Sequence, residues 1–291
     1  MPQNAKYPVV RKFTVDTGGT SDVYVDIGQC LSLINHRLYR QGRLYRVRVS
    51  VTTPISTSIH AITTLPDTWW ARAAYNKARH LWMKRVEDIK EVQGSKGVGR
   101  WNDFKIGYDP THLTNFSSAL KPVMVTDATG TQATMPSSNE EWAVSQLKDN
   151  DGALNTFRFL GTASTSNVFN VLDTFELTDN VQRDPDLSGT GTGAYGDFAP
   201  DSAGGDTQMD SQGDYPPYHE TDFPQLEVLQ GQLTVTADMG TPANGQGIQR
   251  LSTGYFDAPL GLLRITPGAN EELTIEVQAG DYKGVEAPAW E

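Results

Sequence analysis

Five arginines crowd one short stretch, Arg37, Arg40, Arg43, Arg46 and Arg48, with Arg11 and Lys12 upstream. Tyr39 and Tyr45 are interleaved among them. Guanidinium groups neutralise phosphates, and aromatic rings stack on unpaired bases. The combination suits single-stranded nucleic acid held without sequence preference. A competing use stays open: the same arginines can pair with acidic residues of a neighbouring subunit or loop. No long Arg-rich arm accompanies them.

The other chemically able residues form no constellation. Asp184, Asp186, Asp197, Asp201, Asp206, Asp210, Asp214 and Asp222 fall in a segment over 178–222 rich in Gly, Ser, Thr and Pro. Oxygen ligands in a loop can hold calcium, but the spacing matches neither an EF-hand nor a nonapeptide calcium repeat. A long, solvated surface loop is the expectation. His36, His60, His80, His112 and His219 show no zinc-binding spacing. Gly189-Thr190-Gly191-Thr192-Gly193 lacks the lysine of a phosphate loop. Gly161-Thr162-Ala163-Ser164 is not a nucleophile elbow. Asp184 and Asp186 have no partner that would make them an acid and base pair. Cys30 is the single cysteine, so no intrachain disulfide can form, and its apolar neighbours predict a buried thiol. The chain therefore reads as non-enzymatic, with no metal site and no cofactor.

The elements that must position the arginines are mostly strands. Residues 9–15 and 23–27 read as two short strands. Ile27, Cys30, Leu31, Ile34 and Leu38 have helical spacing, stopped at Gly42. A strand then alternates Tyr45, Val47, Val49 and Val51 with Arg46, Arg48, Ser50 and Thr52, giving one apolar and one basic face. Residues 59–65 suggest another strand. A long helix capped by Asp67 or Thr68 runs to about Gln93, with Trp70, Ala74, Ala78, Leu81, Trp82, Val86 and Ile89 as its apolar stripe. Trp69, Trp70 and Trp82 read as core or interface anchors. Candidate strands follow at 104–108, 123–126, 156–160 and 168–177, and a short helix at 139–147. Residues 232–237, 255–265 and 271–278 are three late strands. The turn Pro267-Gly268-Ala269-Asn270 predicts that the last two form a hairpin. Trp290, in a C-terminal tail over 280–291, is placed to dock on a neighbour. Many short strands with one or two inserted helices do not fit βαβ alternation. The expected fold is all-β: one domain over 1–291, a single jelly-roll β-sandwich of two antiparallel sheets with inserted helices and long loops.

Charge is uneven along the chain. Residues 1–105 hold 17 of the 24 Lys and Arg and 8 of the 35 Asp and Glu, a balance of +9, while the rest carries −20. Such asymmetry predicts one surface that attracts polyanions and another that repels them, unless the halves mix in space. No apolar run is long enough to span a bilayer, and residues 1–12 lack the apolar core of a signal peptide.

Residues 25–42, beginning Val25-Asp26-Ile27-Gly28-Gln29-Cys30-Leu31 and ending Leu38-Tyr39-Arg40-Gln41-Gly42, resemble capsid proteins of small circular single-stranded DNA viruses. So do Ala258-Pro259-Leu260-Gly261-Leu262 and Ala279-Gly280-Asp281-Tyr282-Lys283-Gly284-Val285. The resemblance implies a jelly-roll coat subunit that assembles with copies of itself into an icosahedral shell around a circular single-stranded DNA genome. It implies a virion location, assembly inside a host cell and a host receptor, with no membrane involved. Such proteins commonly begin with a basic arm, which this chain lacks, so genome contact would fall to Arg11, Lys12, Arg37, Arg40, Arg43, Arg46 and Arg48. The alternative is a β-sandwich attachment module that binds calcium and a glycan through the acidic loop.

Overall fold

The computed structural model describes residues 8–19, 21–51, 58–94, 99, 102–114, 116, 119–125, 132–135, 142–148, 152–161, 167–179, 227–235, 252–269 and 271–290. The acidic segment expected to form a long surface loop lies, beyond Asp179, outside these residues. In chain order the elements are β1 (Lys12–Asp16), β2 (Val23–Asp26), α1 (Ile27–Asn35), β3 (Leu44–Val51), β4 (Ser58–Thr64), α2 (Trp69–Gln93) and α3 (Pro110–Thr114). After these come β5 (Val123–Val125), β6 (Gln132–Thr134), β7 (Gln146–Lys148), β8 (Leu154–Arg158), β9 (Val168–Asn170) and α4 (Val171–Asp179). The last four are β10 (Val228–Val235), β11 (Ser252–Pro259), β12 (Leu262–Thr266) and β13 (Glu272–Val277).

Two four-stranded antiparallel sheets dominate. The first has the order β1-β13-β3-β11 and the second β10-β4-β12-β2. The chain is thus mostly β, with two antiparallel sheets packed together. Their facing sides supply the main core: Val15, Val47, Val49, Leu273 and Ile275 from the first sheet meet Val25, Ile62, Leu233, Leu263 and Ile265 from the second. Alternation explains the sorting, since successive side chains of a strand point to opposite faces. In β3, Tyr45, Val47, Val49 and Val51 are buried while Arg46, Arg48 and Ser50 point outward. A fully buried pair, His60 and Glu271 at 3.0 Å, ties β4 to the start of β13.

The segment between β4 and β10 carries α2, α3, α4 and two small sheets, β5-β6 and β7-β8-β9, the latter with a parallel β8–β9 pair. It builds a second core from Ala71, Ala74, Tyr75, Phe104, Tyr108, Phe157, Phe159 and Leu172, onto which Tyr24 and Leu262 of the second sheet also pack. Since Val25 and Leu263, next in line to these two, belong to the main core, the second sheet is covered on both faces.

Several expectations need correction. The final two strands do not pair as a hairpin. Residues 255–265 are broken at Leu260 and Gly261, both at positive φ (58° and 65°), and the break sends β11 to one sheet and β12 to the other. A Cβ at Gly261 would lie 2.8 Å from the Tyr45 ring, so only glycine fits this crossing point. Residues 168–177 are one short strand followed by helix α4, because Val171, Leu172 and Phe175 share a face and Phe175 packs on Trp70 at 6.0 Å. Of 104–108 only Gly107 bridges another strand. Residues 142–145 are irregular chain that leads into β7, where a helix was expected. The first helix ends earlier than Gly42, at His36 in the left-handed conformation. Helix α2 matches expectation closely: Thr68 caps it, accepting from the Ala71 amide at 3.2 Å.

Candidate nucleic-acid interface

The outward face of the first sheet carries part of the predicted basic cluster, and the register fixes what each cation meets. One row crosses all four strands: Lys12 opposite Glu276, Glu276 opposite Arg48, Arg48 opposite Tyr255. Arg48 donates to the Glu276 carboxylate and lies 5.2 Å from the Tyr255 ring centre, while the Tyr255 hydroxyl donates to Glu276 at 2.9 Å. Tyr255 and Arg48 together hold the Glu276 carboxyl below its ordinary range. Arg46 lies opposite Asp257, 3.7 Å from its carboxylate. A parallel row holds Thr14, Thr274, Ser50 and Ser252. The arginines of β3 therefore meet carboxylates of adjacent strands, and this face is a patterned, nearly balanced surface. Cross-strand pairs of opposite charge stabilise a sheet modestly.

The remaining predicted cations separate. Arg43 is a structural anchor: its guanidinium donates to the Ala287 carbonyl at 2.8 Å and stacks over Tyr282 at 3.5 Å. Arg11 precedes β1, where its carbonyl accepts from the Val277 amide at 2.9 Å. Arg37 is half-buried beside Tyr39. Arg40 is exposed and turns toward a different element, the middle of α2.

There Arg40 lines a cavity of about 320 Å³ with Arg79, Trp82 and Lys90 of α2 and with Asp103, which follows the helix. Positions 79, 82 and 90 lie three and eleven residues apart, so one helical face presents all three. Trp82 sits 5.6 Å from Phe104. Burial pushes the Asp103 carboxyl up, and the Arg40, Lys105 and Arg79 charges partly offset that shift. Of these residues the sequence pointed to Arg40, as part of the basic cluster, and to Trp82, as a core or interface anchor. The helical spacing that joins Arg79, Trp82 and Lys90 was present, but nothing in the sequence brought Arg40 to them.

Two further polar sites are buried beneath this region. Asp26, at the end of β2, caps α1 by accepting from the Gln29 amide at 3.1 Å, and also accepts from Gln41 at 3.1 Å and Trp142 at 2.9 Å. Burial raises its carboxyl to about 6. His112 accepts from the Tyr108 amide at 2.9 Å through Nδ1 and stacks on Tyr24 at 4.6 Å. Burial lowers its pKa to about 3.

The tail expected to dock on a neighbour is instead seated in its own chain, with Trp290 fully buried against Tyr75 and Phe159. Cys30 is buried. Among the described residues no three His, Cys, Asp or Glu side chains gather as a metal site, and no helix is long and apolar enough to cross a membrane. Comparison with protein-family models, curated proteins and solved structures yielded no match to this chain.

Proposed function

We propose that this chain is a jelly-roll coat subunit that assembles with copies of itself into a closed shell around single-stranded DNA. The observation that carries the reading is the strand pairing. Numbered along the chain, the eight strands of the two large sheets pair first with last (β1, β13), second with seventh (β2, β12), third with sixth (β3, β11) and fourth with fifth (β4, β10). Such pairing supports the jelly-roll reading, in which one long antiparallel hairpin folds over on itself, a wrapping that viral coats share with some sugar-binding proteins.

Fold alone does not assign function. Two surface features favour assembly. From Arg79 onward every described side chain of α2 is exposed or half-buried, including Leu81 and Met83, and Val92 is 84% exposed. The outward face of the first sheet is charge-patterned, with Lys12 and Arg48 opposite Glu276 and Arg46 opposite Asp257, and is suited to registering a second copy by complementary pairs. On this reading the subunit's net charge of −11 goes with loose, non-specific genome binding, since each phosphate needs a cation.

Size-exclusion chromatography and negative-stain microscopy of the purified chain test the proposal. The expected result is closed particles of uniform diameter whose absorbance ratio reports nucleic acid. A monomer under all conditions overturns it. A small oligomer that calcium stabilises and a glycan column retains would favour an attachment module on the same wrapping.

A further inference from the structure

We infer that the cavity between Arg40 and the middle of α2 is a binding site for one nucleotide of a single strand, with phosphate on Arg40, Arg79 and Lys90 and an unpaired base against Trp82. The inference deepens the coat-subunit reading, on which it rests, by locating where nucleic acid binds, and it moves that place away from the sheet face where Arg46 and Arg48 lie.

Three features of the cavity point the same way. Its cations come from two elements, the loop before β3 and helix α2, and converge on one opening. Its wall is aromatic and apolar, with Trp82 half-buried and backed by the buried Phe104. Its floor holds an unmet acceptor: Asp103 Oδ2 is buried without a hydrogen-bond partner. Asp103 gives the cavity a carboxylate edge, an acceptor that suits a ligand with N–H donors.

A nucleotide carries all three matching groups: an anionic phosphate, a flat π-face and base N–H donors. The volume, about 320 Å³, lies at the lower end of small-ligand pockets, right for one residue of a strand. Glu87 also lines the cavity, so among its described lining residues three cations, Arg40, Arg79 and Lys90, face two carboxylates, Glu87 and Asp103. That balance favours a single phosphate at the cationic end. An acidic peptide would meet the same cations, but it brings no flat π-face for Trp82.

The experiment uses the full chain as free subunits. Anisotropy of a labelled single-stranded oligodeoxycytidine is followed against salt, for the natural chain, the double variant Arg79→Ala with Lys90→Ala, and Trp82→Leu. The natural chain should bind with quenching of tryptophan emission. The double variant should bind at least tenfold more weakly and flatten the logarithmic salt slope by about 0.7 for each phosphate that no longer meets a cation. Trp82→Leu should bind about fivefold or more weakly, the lower end expected for one stacked base, and should show little of the quench. Lys90 is exposed and Arg79 half-buried, and circular dichroism melts should show both folds intact. If neither variant changes affinity, or if an oligoglutamate peptide displaces the DNA and gives the same salt slope, the site assignment fails. Shell formation is scored separately by microscopy. Loss of shells with intact DNA binding overturns the coat reading alone, and shells with unaltered DNA binding by the variants overturn the pocket alone.

Discussion

The indole of Trp290 donates to Asp67 Oδ1 at 2.7 Å, joining the C-terminal segment to the residue just before the cap of helix α2. Arg72 grips the same carboxylate through two nitrogens, at 2.8 and 3.0 Å. The fully buried Trp290 ring fills the gap between Tyr75 and Phe159. Trp290→Ala should lower unfolding free energy by about 3–5 kcal/mol, the range for deleting a large buried aromatic. Trp290→Phe should cost clearly less, because a ring still fills most of the gap between Tyr75 and Phe159. Urea denaturation of the three chains measures both, and an effect under about 1 kcal/mol for the alanine variant would mean the tail is not anchored this way.

His112 should make the protein sensitive to acid. Its folded pKa, about 3, lies below the ordinary 6.5 because burial disfavours the charged ring. The unfolded chain therefore binds a proton first, so this stability is present in full above about pH 6.5 and drains away as pH falls toward 3. His112→Asn keeps an acceptor for the Tyr108 amide and cannot be charged. Its stability should fall less steeply than that of the natural chain between about pH 6.5 and 4. Parallel curves in that window would remove His112 as the cause.

Asp26 acts in the opposite sense. Its folded pKa, about 6, stands above the ordinary 3.8 because desolvation outweighs its three hydrogen bonds. The folded state binds the proton first, so the contribution is full below about pH 3.8 and is lost as pH rises through 6. The natural chain should therefore resist mild acid better than Asp26→Asn does. Thermal melts at about pH 4.5 and 7 check this: the difference between the two chains should be smaller at neutral pH, and an unchanged or reversed difference contradicts the account.

Arg46 and Arg48 should matter little for nucleic acid. Asp257 and Glu276 already meet their charges. Exchanging both arginines for glutamine should change oligonucleotide affinity less than twofold, within about 0.4 kcal/mol, in the same anisotropy assay. A tenfold weakening would return the interface to the sheet face.

The alternation in β3 and the capped periodicity of α2 were legible because both depend on neighbours within a few residues. Tyr45, Val47 and Val49 went inward, and Thr68 started the helix, as their spacing requires. What escaped depends on packing across the whole chain. Apolar residues recur from Tyr255 to Ile265, and the paired positive φ angles at Leu260 and Gly261 split the stretch between sheets. Val168 to Leu177 mixes strand and helix spacing, and packing of Phe175 on α2 decides for helix. The arginine cluster was visible as a cluster, but its partners, Glu276, Asp257, Tyr282 and the carbonyl of Ala287, lie more than two hundred residues away.

The pairing of Lys12 with Glu276 has a consequence for biosynthesis. Strand β13 lies between β1 and β3 and bridges them in their sheet. Until the ribosome has released residues beyond 277, the two earlier strands wait with open hydrogen-bonding edges. Nascent chains on one messenger thus emerge with an unfinished layer, which closes only once β13 has left the ribosome. Such long-range closure is slow, and the first sheet presents its complete outer surface only after β13 has been added.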